Sequence, residues 1–187
     1  MKIHIIGIGL IGGSMALDIQ THYPDAVIFG IDSNKNHLEE AIKLGIIHQT
    51  AVINDLYQAD IVIVAVPVDV CLQILPEVLD HIGRDTVVFD VGSTKLPICE
   101  WVANHPNRSN FMATHPIAGT EFSGPSAAVN GLFNGKTNII CEVEKTTFKL
   151  QEKALEVFQK LGMRIRYMNP KSHDKHIAYV SHLSHIS

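Results

Sequence analysis

The chain has 187 residues, 46% of them hydrophobic and 18% charged, which describes one folded domain with at most a fragment of another and excludes a disordered tract. A formal charge of −4 and the absence of any lysine and arginine cluster argue against nucleic acid or an anionic membrane as partner. Three cysteines, Cys71, Cys99 and Cys141, stand far apart without a C-x-x-C pair, so a reducing compartment, the cytoplasm, is expected rather than a disulfide framework.

The first residues already read as structure. Ile3-His4-Ile5-Ile6 is a short buried strand that runs into Gly7-Ile8-Gly9-Leu10-Ile11-Gly12, the opening of an apolar helix. A signal or transit peptide is therefore not expected, and no apolar run approaches the length of a membrane span. In this G-x-G-x-x-G context Gly7 permits the tight turn, Gly9 lets the backbone approach a pyrophosphate, and Gly12 lets the helix pack close on the strand. Leu10 and Ile11 stand at the helix start, where unpaired N–H groups and the helix dipole hold phosphates. Residues 27–31 read as a second strand. Asp32 follows it, twenty residues beyond Gly12, where a carboxylate binds the adenosine ribose hydroxyls. That carboxylate would repel a 2′-phosphate, which favours NAD over NADP, although Lys35 nearby leaves NADP open. The competing interpretation is a glycine-rich turn in an unrelated α/β domain, with Asp32 an ordinary helix cap.

Residues 34–44 have helical spacing and stop at Gly45. The apolar run 61–66, ended by Pro67, reads as a central parallel strand. Val66 and Pro67 then fall at its C-terminal end, where open α/β sheets bind ligands. Residues 68–82 resume helical periodicity, with Pro76 expected to kink or divide the helix. Residues 86–90 form the next strand, 91–95 a loop before another helix, and 111–114 a further short strand. The Gly-, Ser- and Pro-containing segment 119–135 is too long for an ordinary connection and is expected to be functional. Residues 137–142 and 164–168 read as strands around an amphipathic helix at 146–161. This alternation predicts an α/β, Rossmann-type doubly wound, mostly parallel sheet. Residues 171–187 read as a helix with no C-cap glycine and an uncovered stripe of Ile177, Val180, Leu183 and Ile186. The expected division is a dinucleotide-binding domain over 1–169, with 170–187 beginning a truncated helical second domain.

Strand ends select the candidate chemistry: Pro67, Ser93 and the segment 114–121. His115 directly follows the strand 111–114 and precedes Pro116, which holds its backbone extended. A neutral imidazole there can accept a proton or hydrogen bond from a substrate hydroxyl losing hydride to a nicotinamide. The alternative is a capping histidine at a strand end. Near the C-terminus His173, His176, His182 and His185 include two i,i+3 pairs, each sharing a helix face. Imidazoles at that spacing can share a metal ion, but no carboxylate or thiol follows at ligand spacing and no metal is expected.

Taken together, G-I-G-L-I-G-G-S at 7–14, D-V-G-S-T-K at 90–95 and H-P-I-A-G-T-E at 115–121 resemble the prephenate dehydrogenase family, which includes arogenate dehydrogenases. The closing S-H-L-S-H at 181–185 is similar to that family's S-H-L-P-H, with Ser184 in place of the proline. The resemblance implies an N-terminal Rossmann domain, a C-terminal all-helical dimerisation domain of which only the first helix is represented, and a homodimer when full-length. It implies NAD-dependent oxidative decarboxylation of prephenate, a small-molecule substrate, to 4-hydroxyphenylpyruvate in tyrosine biosynthesis. On this pattern His115 accepts the hydrogen bond from the ring hydroxyl as hydride leaves C4, and Ser93 orients that hydroxyl. Thr120 is implied as a substrate contact, Glu121 as an acidic gate, and Ser181, His182 and His185 as pocket-lining residues. The alternatives are arogenate as substrate, a general β-hydroxy-acid reductase, which typically uses a lysine as base, and a non-catalytic NAD(H)-binding module.

Overall fold

The computed structural model describes residues 1–119 and 122–186, the last three of them by backbone alone. Eight strands among the described residues form a single sheet: β1 (Lys2–Ile6), β2 (Val27–Ile31), β3 (Gln49–Thr50), β4 (Ile61–Val64), β5 (Val87–Asp90), β6 (Phe111–Pro116), β7 (Thr137–Cys141) and β8 (Arg164–Tyr167). Their order is β3-β2-β1-β4-β5-β6-β7-β8, parallel throughout except for the antiparallel β6–β7 pair. The first six strands follow the dinucleotide-binding order 3-2-1-4-5-6, so the expected Rossmann-type fold is present.

Among the described residues five α-helices lie between strands, α1 (Leu10–His22), α2 (Lys35–Lys43), α3 (Val68–His81), α4 (Leu96–Trp101) and α5 (Phe148–Lys160), and α6 (Pro170–Ile186) follows β8. Central strands are apolar on both faces because helices cover both. Along β4 the side chains alternate accordingly. Ile61 and Ile63 join a cluster with Met15, Ile19, Ala41 and Phe158 from α1, α2 and α5. Val62 and Val64 join another with Leu75, Val78 and Ile98 from α3 and α4.

The structure departs from the sequence reading at several boundaries. The strand β4 ends at Val64, so Ala65, Val66 and Pro67 form the turn beyond it. The two-residue β3 pairs only with β2 and carries no apolar run to betray it. The helix α3 passes through Pro76 without dividing. Leu75, Val78 and Leu79 around that proline are all buried, and packing of this face holds the helix where one backbone hydrogen bond is lost. The largest correction concerns β6, which continues through His115 and Pro116. Its first residues pair with β5, while Ala113 to Pro116 pair with β7. His115 therefore lies within a strand instead of following one.

The segment 125–131 lies across α1. Val129 N–H donates to Ser14 Oγ at 3.0 Å, and Gly131 N–H donates to Asp18 Oδ1 at 2.7 Å.

Candidate functional site

The strand β1 has β2 on one side and β4 on the other, and the crevice beyond their C-terminal ends is the topological switch point of the sheet. A cavity of about 500 Å³ opens there, lined by Gly7, Gly9, Asp32, Val66 and Pro67 among others. Gly7 has φ +93°, and a Cβ on it would fall 2.3 Å from Ala65 O; a Cβ on Gly12 would fall 2.0 Å from Gly7 O. The fold itself thus demands these two glycines. Gly9 is different, since a Cβ there would meet nothing within 4 Å. Its lack of a side chain keeps space open above the start of α1, where no side chain among the described residues caps the helix and no acidic residue occupies the first turn. An uncapped, glycine-lined helix N-terminus suits a pyrophosphate. The residues present therefore fit a dinucleotide.

Asp32 directly follows β2 and ties the cleft together. Its Oδ2 accepts from Ile8 N–H at 2.9 Å, and its Oδ1 accepts from Asn34 N–H at 2.8 Å. The helix α2 is instead capped by the side chain of Asn34, which accepts from Asn36 and His37 N–H. Asp32 is therefore no ordinary helix cap; it stands at the glycine loop on the cavity wall. Leu10 and Ile11 are partly buried in the first turn of α1.

A second group of polar residues lies further along the same edge of the sheet. Asp90, the last residue of β5, is completely buried, as is Lys95 at the start of α4. Lys95 Nζ donates to Asp90 Oδ2 and, at 2.6 Å, to Thr114 O. Asp90 also accepts from Gly92 N–H at 3.0 Å and from Thr114 N–H at 3.1 Å. This network joins the loop 91–95 to the residue before His115. Ser93 is exposed in the middle of that loop.

His115 is half-buried, and its Nδ1 lies 2.9 Å from Nε2 of His173, a fully buried residue in the first turn of α6. His173 Nδ1 lies 2.7 Å from Asp174 Oδ1, and the same carboxylate accepts from Lys95 N–H at 2.7 Å and Leu96 N–H at 2.9 Å. Burial, then the nearby Lys95 cation and His173, push the His115 imidazole down to about 4 against a weaker upward pull from Asp174. At neutral pH His115 is an uncharged acceptor. Burial alone would raise the Asp174 carboxyl, but the hydrogen bonds from Lys95 N–H, His173 and Leu96 N–H outweigh it and hold the group below the usual carboxylate range.

Of the other expected site residues, Ser181 and His182 are exposed on α6. Nine residues beyond His173, His182 is about 13 Å further along the helix axis. His185 lies in α6, but its side chain is outside the described residues, and Thr120 and Glu121 are outside them altogether. Among the described residues no group of three His, Cys, Asp or Glu side chains is arranged to hold a metal ion, and no helix is long and apolar enough to cross a membrane. The Asp90–Lys95 pair and Asp174 were not singled out from the sequence. The available signals were a lysine and an aspartate closing one short loop motif, and a carboxylate directly after His173.

The sequence matches the family profile described as prephenate dehydrogenase, nucleotide-binding domain, over residues 15–167. It is 35% identical over 187 residues to a prephenate dehydrogenase of Bacillus subtilis, covering 97% of this chain and 50% of that one. The chain spans about half the length of the first curated relatives it matches. Among solved structures it is similar to an arogenate dehydrogenase of Synechocystis, with a TM-score of 0.88 and 28% identity, covering 98% of this chain and 65% of that one. It is also similar to a prephenate dehydrogenase of A. aeolicus in complex with hydroxyphenyl propionate and NAD+, with a TM-score of 0.81 and 28% identity, covering 93% of this chain and 62% of that one.

Proposed function

The chain belongs to the prephenate dehydrogenase family, and from that premise we propose that its cleft takes NAD and serves the oxidative decarboxylation of prephenate to 4-hydroxyphenylpyruvate. Gly9 and the uncapped start of α1 would hold the pyrophosphate, and Asp32 the adenosine ribose. Bound NAD+ supplies the hydride acceptor. As hydride leaves the ring, the C4 hydroxyl becomes strongly acidic, and a neutral His115 accepts its hydrogen bond and stabilises the developing positive charge. Electrons from the breaking ring–carboxylate bond then aromatise the ring as CO₂ departs. Ser93 is assigned to orient the hydroxyl from the 91–95 loop.

What carries this proposal is a histidine kept neutral at the C-terminal edge of the sheet, on the same edge as the dinucleotide cleft. By resemblance Thr120, Glu121, Ser181, His182 and His185 complete the substrate pocket, with a helical domain that pairs two subunits in the cytoplasm. The deciding assay is NADH formation from NAD+ and prephenate by the whole protein, with arogenate run in parallel. Turnover of prephenate is expected. Turnover of arogenate alone would move the assignment to arogenate dehydrogenase, which the likeness to the Synechocystis enzyme supports. Turnover of neither, with NAD still bound, would leave a non-catalytic NAD-binding module.

A further inference from the structure

The three side chains Asp174, His173 and His115 form one hydrogen-bonded line, and its direction is set from the carboxylate end. An ionised carboxylate only accepts. With Asp174 Oδ1 at 2.7 Å from His173 Nδ1, that nitrogen carries the proton. If that is the only proton on the ring, Nε2 of His173 is bare and accepts from the atom 2.9 Å away, His115 Nδ1. In that arrangement His115 holds its single proton on Nδ1 and leaves Nε2 as its basic atom. In an unconstrained imidazole the proton favours the other nitrogen.

We propose that His173 and Asp174 are positioning residues that hold His115 in the Nδ1–H tautomer, so that Nε2 is the atom available to a substrate hydroxyl. The two residues occupy the first turn of α6, whereas His115 sits in β6, so the contact also locks the helix to the strand. Asp174 is itself fastened by Lys95 and Leu96 N–H at the start of α4. Lys95 reaches back to Thr114 O, next to His115. The imidazole is thereby held from both sides: through its own backbone neighbour and through its Nδ1. When Nε2 takes the substrate's hydrogen bond, the Nδ1–H bond to His173 strengthens and the Asp174 charge offsets the positive charge growing on His115. Proton transfer along the line is not required.

The catalytic consequence rests on the dehydrogenase function proposed above; the tautomer does not. In the whole protein labelled with ¹⁵N-histidine, two-bond ¹⁵N–¹H correlations at neutral pH distinguish protonated from bare ring nitrogens, with the His115 signal assigned by its loss in His115→Asn. The wild type is expected to show Nδ1 protonated and Nε2 bare at His115. His173→Gln keeps an acceptor oxygen for Nδ1–H and should preserve that pattern. His173→Leu fills the buried space without an acceptor and should let the proton return to Nε2. In parallel kinetics His173→Leu should lose roughly 10²-fold in kcat with little change in KM, and His173→Gln should recover most of it.

A wild-type His115 protonated on Nε2 would overturn the proposal. So would equal kcat values and equal tautomers in the Gln and Leu variants, since a packing role alone favours leucine. If the wild type turns over neither prephenate nor arogenate while the tautomers behave as expected, the functional assignment fails and the positioning of His115 stands.

Discussion

Gly9 and Gly12 belong to one loop, yet they are glycines for different reasons. A Cβ at position 12 collides with Gly7 O, whereas one at position 9 enters open space. Gly12→Ala is therefore expected to destabilise the fold by about 1–3 kcal/mol through overpacking. Gly9→Ala should leave the urea-denaturation midpoint in place and weaken NAD binding measured by calorimetry. A Gly9→Ala protein that binds NAD normally would take the pyrophosphate away from this loop. Asp32→Ala should weaken NAD and narrow its preference over NADP, and unchanged selectivity would remove Asp32 from the ribose site. His115→Asn should lose roughly 10²–10⁴-fold in kcat while NAD affinity is nearly unchanged. A loss of only two- or three-fold would make the histidine structural.

Between elements, the principal polar joint is the Asp90–Lys95 pair linking the end of β5, the start of α4 and β6. Both side chains have no solvent exposure, so neither charge can turn to water if its partner is removed. Lys95→Met leaves the Asp90 carboxylate buried and uncompensated, and a loss of about 3–5 kcal/mol in urea unfolding is expected. Adding Asp90→Asn to that variant should restore part of the stability, because the orphaned charge goes with it. If the single variant unfolds at the wild-type midpoint, the pair carries no structural load.

Across the whole molecule, pH enters through histidines that fold away uncharged. His4 is buried in β1, stacked on Phe29 with ring centroids 4.4 Å apart. Burial pushes it from an ordinary value of 6.5 down to about 4, with Asp55 pulling weakly upward. His115 is lowered to about 4 as well. As pH falls below about 6.5, the unfolded chain binds protons at these sites, while the folded chain does not until near pH 4. Their contribution to stability is thus fully present above that window and is lost as pH falls through it. Denaturation midpoints should decline from pH 6.5 towards pH 4, and His4→Phe should flatten part of the decline. A His4→Phe profile that overlays the wild type would remove His4 as a cause.

Features encoded by near neighbours were legible from residue order. The apolar runs of β1, β2, β4 and β5, the glycine turn and the acid at the end of β2 depend on backbone sterics and on a side-chain period of two, which a short stretch of chain already displays. The extension of β6 through His115 was hidden, because its partner there is β7, met only after the 119–135 segment. The line from His115 to His173 was hidden for the same reason, since its ends are 58 residues apart.

The sequence by itself thus determined the alternating α/β fold, the dinucleotide loop with its Asp32, and His115 as the candidate acceptor. Only the tertiary structure decided that Gly9 faces open space, that Asp90 and Lys95 pair out of water, and that Asp174, His173 and His115 stand in one hydrogen-bonded line. Local sterics and periodicity act along the chain and can be read from it. Desolvation and hydrogen-bond direction arise only when distant segments meet.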